Sequence, residues 1–241
     1  MKITVGDDEA DVARHAAALI AREIDAAIAA RGHACIAFSG GRTPWPMMRA
    51  LADADAPWQH VHVFQTDERI VPLDDAARTL PQLREALLSH IPIPPAQVHP
   101  MPVDDGTLQS AAERYARDLE QLAGQPPVLD LVHLGLGDDG HTASLVPGDT
   151  ALDIATADVA LSGPYQAHRR MTLTFPLINR AKMILWLVTG RNKADVLKRL
   201  WVGDREIPAG RVRRDRAVIV TDRAAAQPLS ENIEQRDGQT A

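Results

Sequence analysis

Apolar residues fall into two patterns along this chain, and the patterns take turns. Short apolar runs at Ile3–Val5, Ala34–Phe38, Val61–Thr66, Val128–Leu136, Lys182–Val188 and Ala217–Val220 read as buried strands. Between them the spacing lengthens to that of a helix. Val12, Ala16, Leu19, Ile20, Ile24, Ala27 and Ile28 lie on one helical stripe, with Asp7 or Asp8 placed to cap its start and Gly32 to close it. Thr43 suits an N-cap and Pro44 a first helical position, which turns Met47, Met48 and Leu51 inward. Further helices are expected at Pro81–Ser89, Leu108–Leu122 and Asn192–Trp201, with one helical turn at Pro176–Asn179. A Pro-rich connection covers Ile91–Pro102, a loosely patterned segment runs to Gln166, and Arg170–Thr174 alternates like a strand. Strands that alternate with helices over the whole length predict a three-layer α/β/α fold. Its mostly parallel, Rossmann-like sheet carries helices on both faces. No linker or internal repeat interrupts the pattern, so residues 1–226 are read as one domain and 227–241 as a polar, frayed tail.

Three strand ends run into unusual loops: Ser39–Pro44, Asp67–Pro72 and Gly135–Ser144. In a parallel sheet all three emerge on one edge, where open α/β sheets bind their ligands. The third is the centre of the chain's chemistry. Gly135, Gly137 and Gly140 surround Asp138 and Asp139, and His141 follows at the expected start of a short helix ending near Pro147-Gly148. The literal spacing is G-x-G-x-x-G, with Asp158 downstream, but two carboxylates and a two-turn helix do not suit a pyrophosphate. A dinucleotide site is therefore rejected. A lone histidine is more often structural than catalytic. The glycine turn, the carboxylates and the hydroxyls of Thr142 and Ser144 move His141 toward a general base. The first loop reads equally as a phosphate cradle, with glycine N–H groups, Ser39 and Thr43 hydroxyls and Arg42, or as an ordinary turn before a helix. In the second, Asp67, Glu68 and Arg69 sit between apolar flanks that draw them toward the protein.

Composition narrows the partners. A net charge of −6 speaks against non-specific nucleic-acid binding, yet leaves room for a small anion where cations gather locally. No apolar run reaches membrane-spanning length, and the start of the chain has no signal-peptide core. Cys35 is the only cysteine, which excludes an internal disulfide, favours a buried strand residue over a nucleophile, and fits a cytoplasmic protein. His60 and His62 form His-x-His but lack a third ligand at a suggestive spacing, so they are read as strand residues. His141 with Asp67, Asp138 or Asp139 can in principle hold a metal, although nothing in the sequence demands one.

Taken together, Phe-Ser-Gly-Gly-Arg-Thr-Pro, Thr-Asp-Glu-Arg-Ile-Val-Pro and Leu-Gly-Leu-Gly-Asp-Asp-Gly-His-Thr-Ala-Ser-Leu-Val-Pro-Gly resemble the 6-phosphogluconolactonase family. Arg-Arg-Met-Thr-Leu-Thr-Phe-Pro-Leu-Ile-Asn-Arg-Ala and Val-Thr-Gly-Arg-Asn-Lys-Ala extend the likeness, in family order, across residues 36–226. The related glucosamine-6-phosphate deaminases carry other residues after the acidic pair and the histidine. The second and third motifs here, with Arg69 and Thr142-Ala143-Ser144, favour the lactonase. Arg42 stands where members often have Ser, and Arg78-Thr79-Leu80 replaces a Ser-Asn-Tyr-like triplet.

The resemblance implies hydrolysis of 6-phospho-D-glucono-1,5-lactone to 6-phosphogluconate in the oxidative pentose phosphate pathway, with no metal or nucleotide cofactor. On that basis His141 is the expected base. Asp67 is the first candidate to orient it or the sugar, Asp139 the second, and Arg69 is expected at the oxyanion with loop N–H groups. Ser39, Gly40, Gly41, Arg42, Thr43, Gly137, Arg170 and Lys193 are expected to hold phosphate and sugar. A deaminase-like enzyme and a non-catalytic sugar-phosphate sensor are the alternatives. The sequence does not fix the oligomeric state.

Overall fold

Ala34–Phe38 forms a strand in which every residue is buried, and its side chains divide between two cores. Ala34, Ile36 and Phe38 face one, while Cys35 and Ala37 face the other. Alternating Cβ directions in a strand make that split inevitable, so an uninterrupted apolar run marks a strand covered on both faces. A computed structural model describes residues 1–104 and 106–229 of the chain and places this strand in the interior of a seven-stranded sheet.

The sheet strands are β1 (Lys2–Gly6), β2 (Ala34–Phe38), β3 (Val61–Gln65), β5 (Val98–His99), β6 (Leu131–Leu134), β9 (Met183–Val188) and β10 (Ala217–Asp222). All pairs are parallel, in the order β1-β10-β9-β6-β2-β3-β5. On one face lie α1 (Glu9–Arg31), α2 (Pro44–Ala52) and α3 (Leu80–Ala86), which supply Ile20, Met47 and Leu83 to one core. On the other lie α4 (Leu108–Ala123), α5 (Phe175–Arg180) and α6 (Ala194–Val202), which supply Tyr115, Ile178 and Leu197. The fold is thus three-layer α/β/α. Asp8 caps α1 by accepting the Asp11 N–H at 2.8 Å, and Gly32 ends it at φ 82°, a left-handed conformation that glycine adopts readily. Among the described residues no helix is long and apolar enough to cross a membrane.

The order of the strands decides where a ligand can bind. From β2 the chain moves outward through β3 to β5; β6 then returns to the other side of β2, and the later strands continue outward from there. Neighbouring β2 and β6 therefore send their following loops in opposite directions. A crevice opens at their carboxyl ends, the topological switch point.

The structure departs from the sequence expectations in several places, and the Pro-rich Ile91–Pro102 connection holds the edge strand β5. Asp67–Arg69 is not loop but strand β4, which leaves β3 after Thr66 and joins a second, antiparallel sheet. That ribbon has the order β4-β8-β7, with β7 (Val159–Tyr165) inside the loosely patterned segment and β8 (His168–Leu173) where alternation was seen. The expected short helix after His141 is absent. Thr142 and Leu145 form a β-bridge, Ala143 adopts φ 47°, and the Thr142 hydroxyl bonds back to Gly135 O at 2.9 Å, a tight turn that a helical backbone cannot make. Finally, the helical stretch that begins at 223 is still helical at 229, where Leu229 is buried, so a tail boundary at 227 falls inside it. Residues 230–241 of the expected tail lie outside the described residues.

Candidate active site

A cleft of about 330 Å³ lies at the switch point, lined by residues of all three loops. Of the expected site residues, Ser39, Gly40, Gly41, Arg42, Thr43, Asp67, Arg69, Gly137, His141, Arg170 and Lys193 all line it. Asp139 stands just behind, at His141.

The first loop is held from below. Ser39 Oγ shares a 2.6 Å hydrogen bond with Thr66 Oγ1, and the Ser39 N–H donates to Nδ1 of His133 at 3.3 Å. His133 is fully buried in β6, and burial pushes its pKa down to about 3, so it remains a neutral acceptor. A Cβ on Gly40 would lie 2.5 Å from the Thr79 methyl, so the loop packs against the residues before α3 only because position 40 is glycine. Thr43 occupies the N-cap position of α2, but its hydroxyl makes no capping bond. It faces Thr189 Oγ1 at 3.5 Å across the cleft wall.

The ribbon brings the charges. In register, Asp67 pairs with Thr172, Glu68 with Met171 and Arg69 with Arg170. Glu68 is wholly buried and does not reach the cleft. Its carboxylate accepts the backbone N–H groups of Arg69, Thr79 and Leu80 at 2.8–3.1 Å and the Gln65 amide at 3.0 Å, with Arg78 Nε at 3.4 Å. It ties β4 to the start of α3. Arg69 reaches Ala77 O at 2.6 Å. Arg170 is buried beside Asp67, with 4.0 Å between Nη1 and Oδ2. Burial lowers its pKa against the opposing pull of Asp67.

The third loop holds the histidine. The Gly137 N–H donates to His141 O at 2.9 Å, and the imidazole lies so close over Gly137 that a Cβ there would be 2.0 Å from Nδ1. Asp139 Oδ1 is 2.6 Å from Nδ1 and also accepts the His141 backbone N–H at 3.1 Å. Partial burial pushes the Asp139 carboxyl up; the hydrogen bonds and charge of His141, with help from Tyr165, outweigh this and hold it below the usual carboxylate range. With Nδ1 engaged, Nε2 is the nitrogen left to handle a proton. Asp67 makes no hydrogen bond to His141. Its oxygens accept from Ser144 Oγ at 2.6 Å and Thr66 Oγ1 at 3.1 Å, so of the two carboxylates it is Asp139 that touches the imidazole. Asp138 takes Lys193 Nζ at 2.6 Å, and that hydrogen bond lowers its pKa.

The sequence reading missed Thr79, Gln166 and Thr189 in the lining and Tyr165 at the histidine. Gln166 and Ala167 form the tip of the β7–β8 hairpin at φ 48° and 70°. Such a turn is normally written with Asn and Gly, so its usual sequence signal is missing. Among the described residues no group of three or more His, Cys, Asp or Glu is placed to hold a metal ion. His62 instead hydrogen-bonds His99 at 3.0 Å.

Known proteins resemble this chain in both sequence and fold. The sequence matches the family described as glucosamine-6-phosphate isomerases/6-phosphogluconolactonase over residues 7–221. It is 41% identical over 182 residues to the 6-phosphogluconolactonase of Synechocystis, covering 74% of this chain and 75% of that one. To the Mycobacterium tuberculosis 6-phosphogluconolactonase it is 40% identical over 220 residues, or 86% and 89% of the two chains. The solved structure of 6-phosphogluconolactonase from Trypanosoma brucei superposes with a TM-score of 0.83 at 27% identity, over 95% of this chain and 98% of that one. A cleft at the β2/β6 switch point, a glycine loop on one side, a histidine loop on the other and relatives of this identity lead to one assignment: the chain belongs to the glucosamine-6-phosphate isomerase/6-phosphogluconolactonase family.

Proposed function

We propose that the protein hydrolyses 6-phospho-D-glucono-1,5-lactone to 6-phosphogluconate, with His141 as general base. The observation that carries this reading is the Asp139–His141 pair, 2.6 Å apart, in the same cleft as the Ser39–Thr43 loop. The names of the curated relatives support the substrate. So does the ribbon, since Arg69 and Arg170 lie side by side in register and both line the cleft. Like charges directly opposite are destabilising, and an anion between them relieves the repulsion.

A δ-lactone is an activated ester, so its opening needs an oriented water, a base and charge stabilisation, and neither metal nor nucleotide. The phosphate sits against the N–H groups of Gly40 and Gly41, the Ser39 and Thr43 hydroxyls and the start of α2, with Arg42 and Lys193 at its side. His141 Nε2 takes a proton from the water that attacks C1. Asp139 holds the ring and stabilises the imidazolium. Arg69 and loop N–H groups receive the developing oxyanion. As the C1–O5 bond breaks, the imidazolium returns its proton to the ring oxygen and leaves the open-chain acid. Asp67, held by Ser144 and Arg170, is placed for the sugar hydroxyls. A single buried thiol at Cys35, whose pKa burial raises to about 12, suits a cytoplasmic setting.

The test uses lactone made fresh from glucose 6-phosphate, with 6-phosphogluconate read through its dehydrogenase against a protein-free blank. Wild-type protein should exceed the blank, and His141→Ala should lose ~100-fold or more while still folded. Ammonia released from glucosamine 6-phosphate would move the protein to the deaminase branch. Thermal protection by both sugars without turnover would make it a sensor.

A further inference from the structure

We infer that Tyr165 is a positioning residue that fixes the Asp139–His141 pair from the β7–β8 hairpin. This rests on the reading of His141 as the base. Tyr165 does not line the cleft; it stands behind the histidine. Its hydroxyl donates to Asp139 Oδ2 at 3.1 Å, the oxygen that His141 leaves unused, and lies 3.4 Å from Nδ1. The two rings meet edge to face with centroids 5.0 Å apart. One side chain therefore contacts both members of the pair. On its other side Arg170 lies over the Tyr165 ring at 5.2 Å and donates to Tyr165 O at 3.4 Å, which ties the hairpin to the charges of the ribbon.

The contacts have a chemical consequence. Partial burial and the neighbouring Asp139 raise the phenol pKa, so the hydroxyl keeps its proton and acts as a donor. A hydrogen bond to Oδ2 draws charge away from Oδ1 and weakens the pull of Asp139 on the imidazolium. Tyr165 thereby favours the neutral ring that a base requires, and keeps Nδ1 turned from the cleft. The other charged groups near this pair are the Asp138–Lys193 ion pair on the loop side, and Asp67, Arg69 and Arg170 on the ribbon. None of them hydrogen-bonds the imidazole, so the Tyr165 hydroxyl and Asp139 are the side chains that hold it.

The experiment compares wild type, Tyr165→Phe and Tyr165→Ala in two readouts: the pH profile of lactone opening, and the NMR titration of the His141 ring, assigned by its loss in His141→Ala. Tyr165→Phe keeps the ring contact and removes only the hydroxyl. It should lower kcat roughly three- to tenfold with KM within about twofold, the range expected for one hydrogen bond. The acid limb of kcat/KM and the ring titration should both move up by roughly half a pH unit, because an unshared Asp139 holds the imidazolium more tightly. Tyr165→Ala should lose further rate through the lost ring contact. An unchanged limb and titration in Tyr165→Phe would overturn the inference, and so would a rise in KM alone, which marks a substrate contact. If His141→Ala keeps the wild-type rate, the base reading falls instead, and the ring titration still decides whether Tyr165 governs the pair.

Discussion

The seven-stranded sheet and the three-stranded ribbon meet at the cleft and bring it different materials. The sheet brings backbone. Its parallel strands end in glycine loops, and strands buried on both faces hold them in place. The ribbon brings charge: Asp67, Arg69 and Arg170, with Glu68 hidden beneath. In register Arg69 faces Arg170, two like charges that an anion can bridge, while Asp67 lies 4.0 Å from the Arg170 guanidinium. On the proposed reading the loops of the sheet add His141, Asp139 and Lys193 to that backbone, and the ribbon adds the arginine pair and Tyr165.

The comparison breaks first at Gly137. Gly137→Ala puts a methyl where the His141 ring lies, and kcat should fall by ~100-fold or more while the melting temperature moves by only a few degrees. An alanine variant with near wild-type kcat would show that the ring need not lie there. Next is the ribbon's own anchor. Glu68→Gln keeps the shape but removes the charge that receives several N–H donors, and should cost about 2–4 kcal/mol, seen as a lower melting temperature and denaturant midpoint. Lys193→Ala separates binding from chemistry: with Asp138 left unneutralised at the cleft, KM should rise roughly tenfold and kcat stay within about threefold. The smallest effect lies at the far edge of the sheet. Burial pushes His99 down to about 4 and lowers His62 as well, so both are neutral in the fold and take up protons more readily once unfolded. Their contribution to stability is complete above about pH 6.5 and declines as the pH falls toward 4. The melting temperature should drop by a few degrees over that window, and less so in His99→Gln, with kcat at any one pH unaltered by the substitution.

The same division explains what could be read in advance. Buried parallel strands announce themselves as apolar runs, and β2 was legible to the residue because no other arrangement buries Ala34 to Phe38 on both sides. Helix α1 was legible through Asp8 and Gly32. The ribbon was not. Strand β4 spells Asp-Glu-Arg, and polar residues in a strand look like loop until their partners across the ribbon are known. Its hairpin turns at Gln166-Ala167 without Asn or Gly, so β7 had no visible end. Within the site the motifs supplied His141, Asp67 and the glycine loop, since short spacings carry those. Asp139 lies only two residues from His141, but that its carboxylate folds back on the ring, that Asp67 goes to Ser144 and that Tyr165 joins the pair are matters of three-dimensional contact, which spacing does not encode.

The pairing of β1 with β10 also bears on how the chain is made. Ile3 lies beside Ile219 and Val5 beside Thr221, so the first strand has no neighbour in the sheet until the last one exists. At ordinary translation speeds roughly two hundred intervening residues take roughly ten to forty seconds to emerge. During that wait β1 and the buried face of α1 are held only by what has already folded. This edge of the sheet therefore closes only after the other strands have been made.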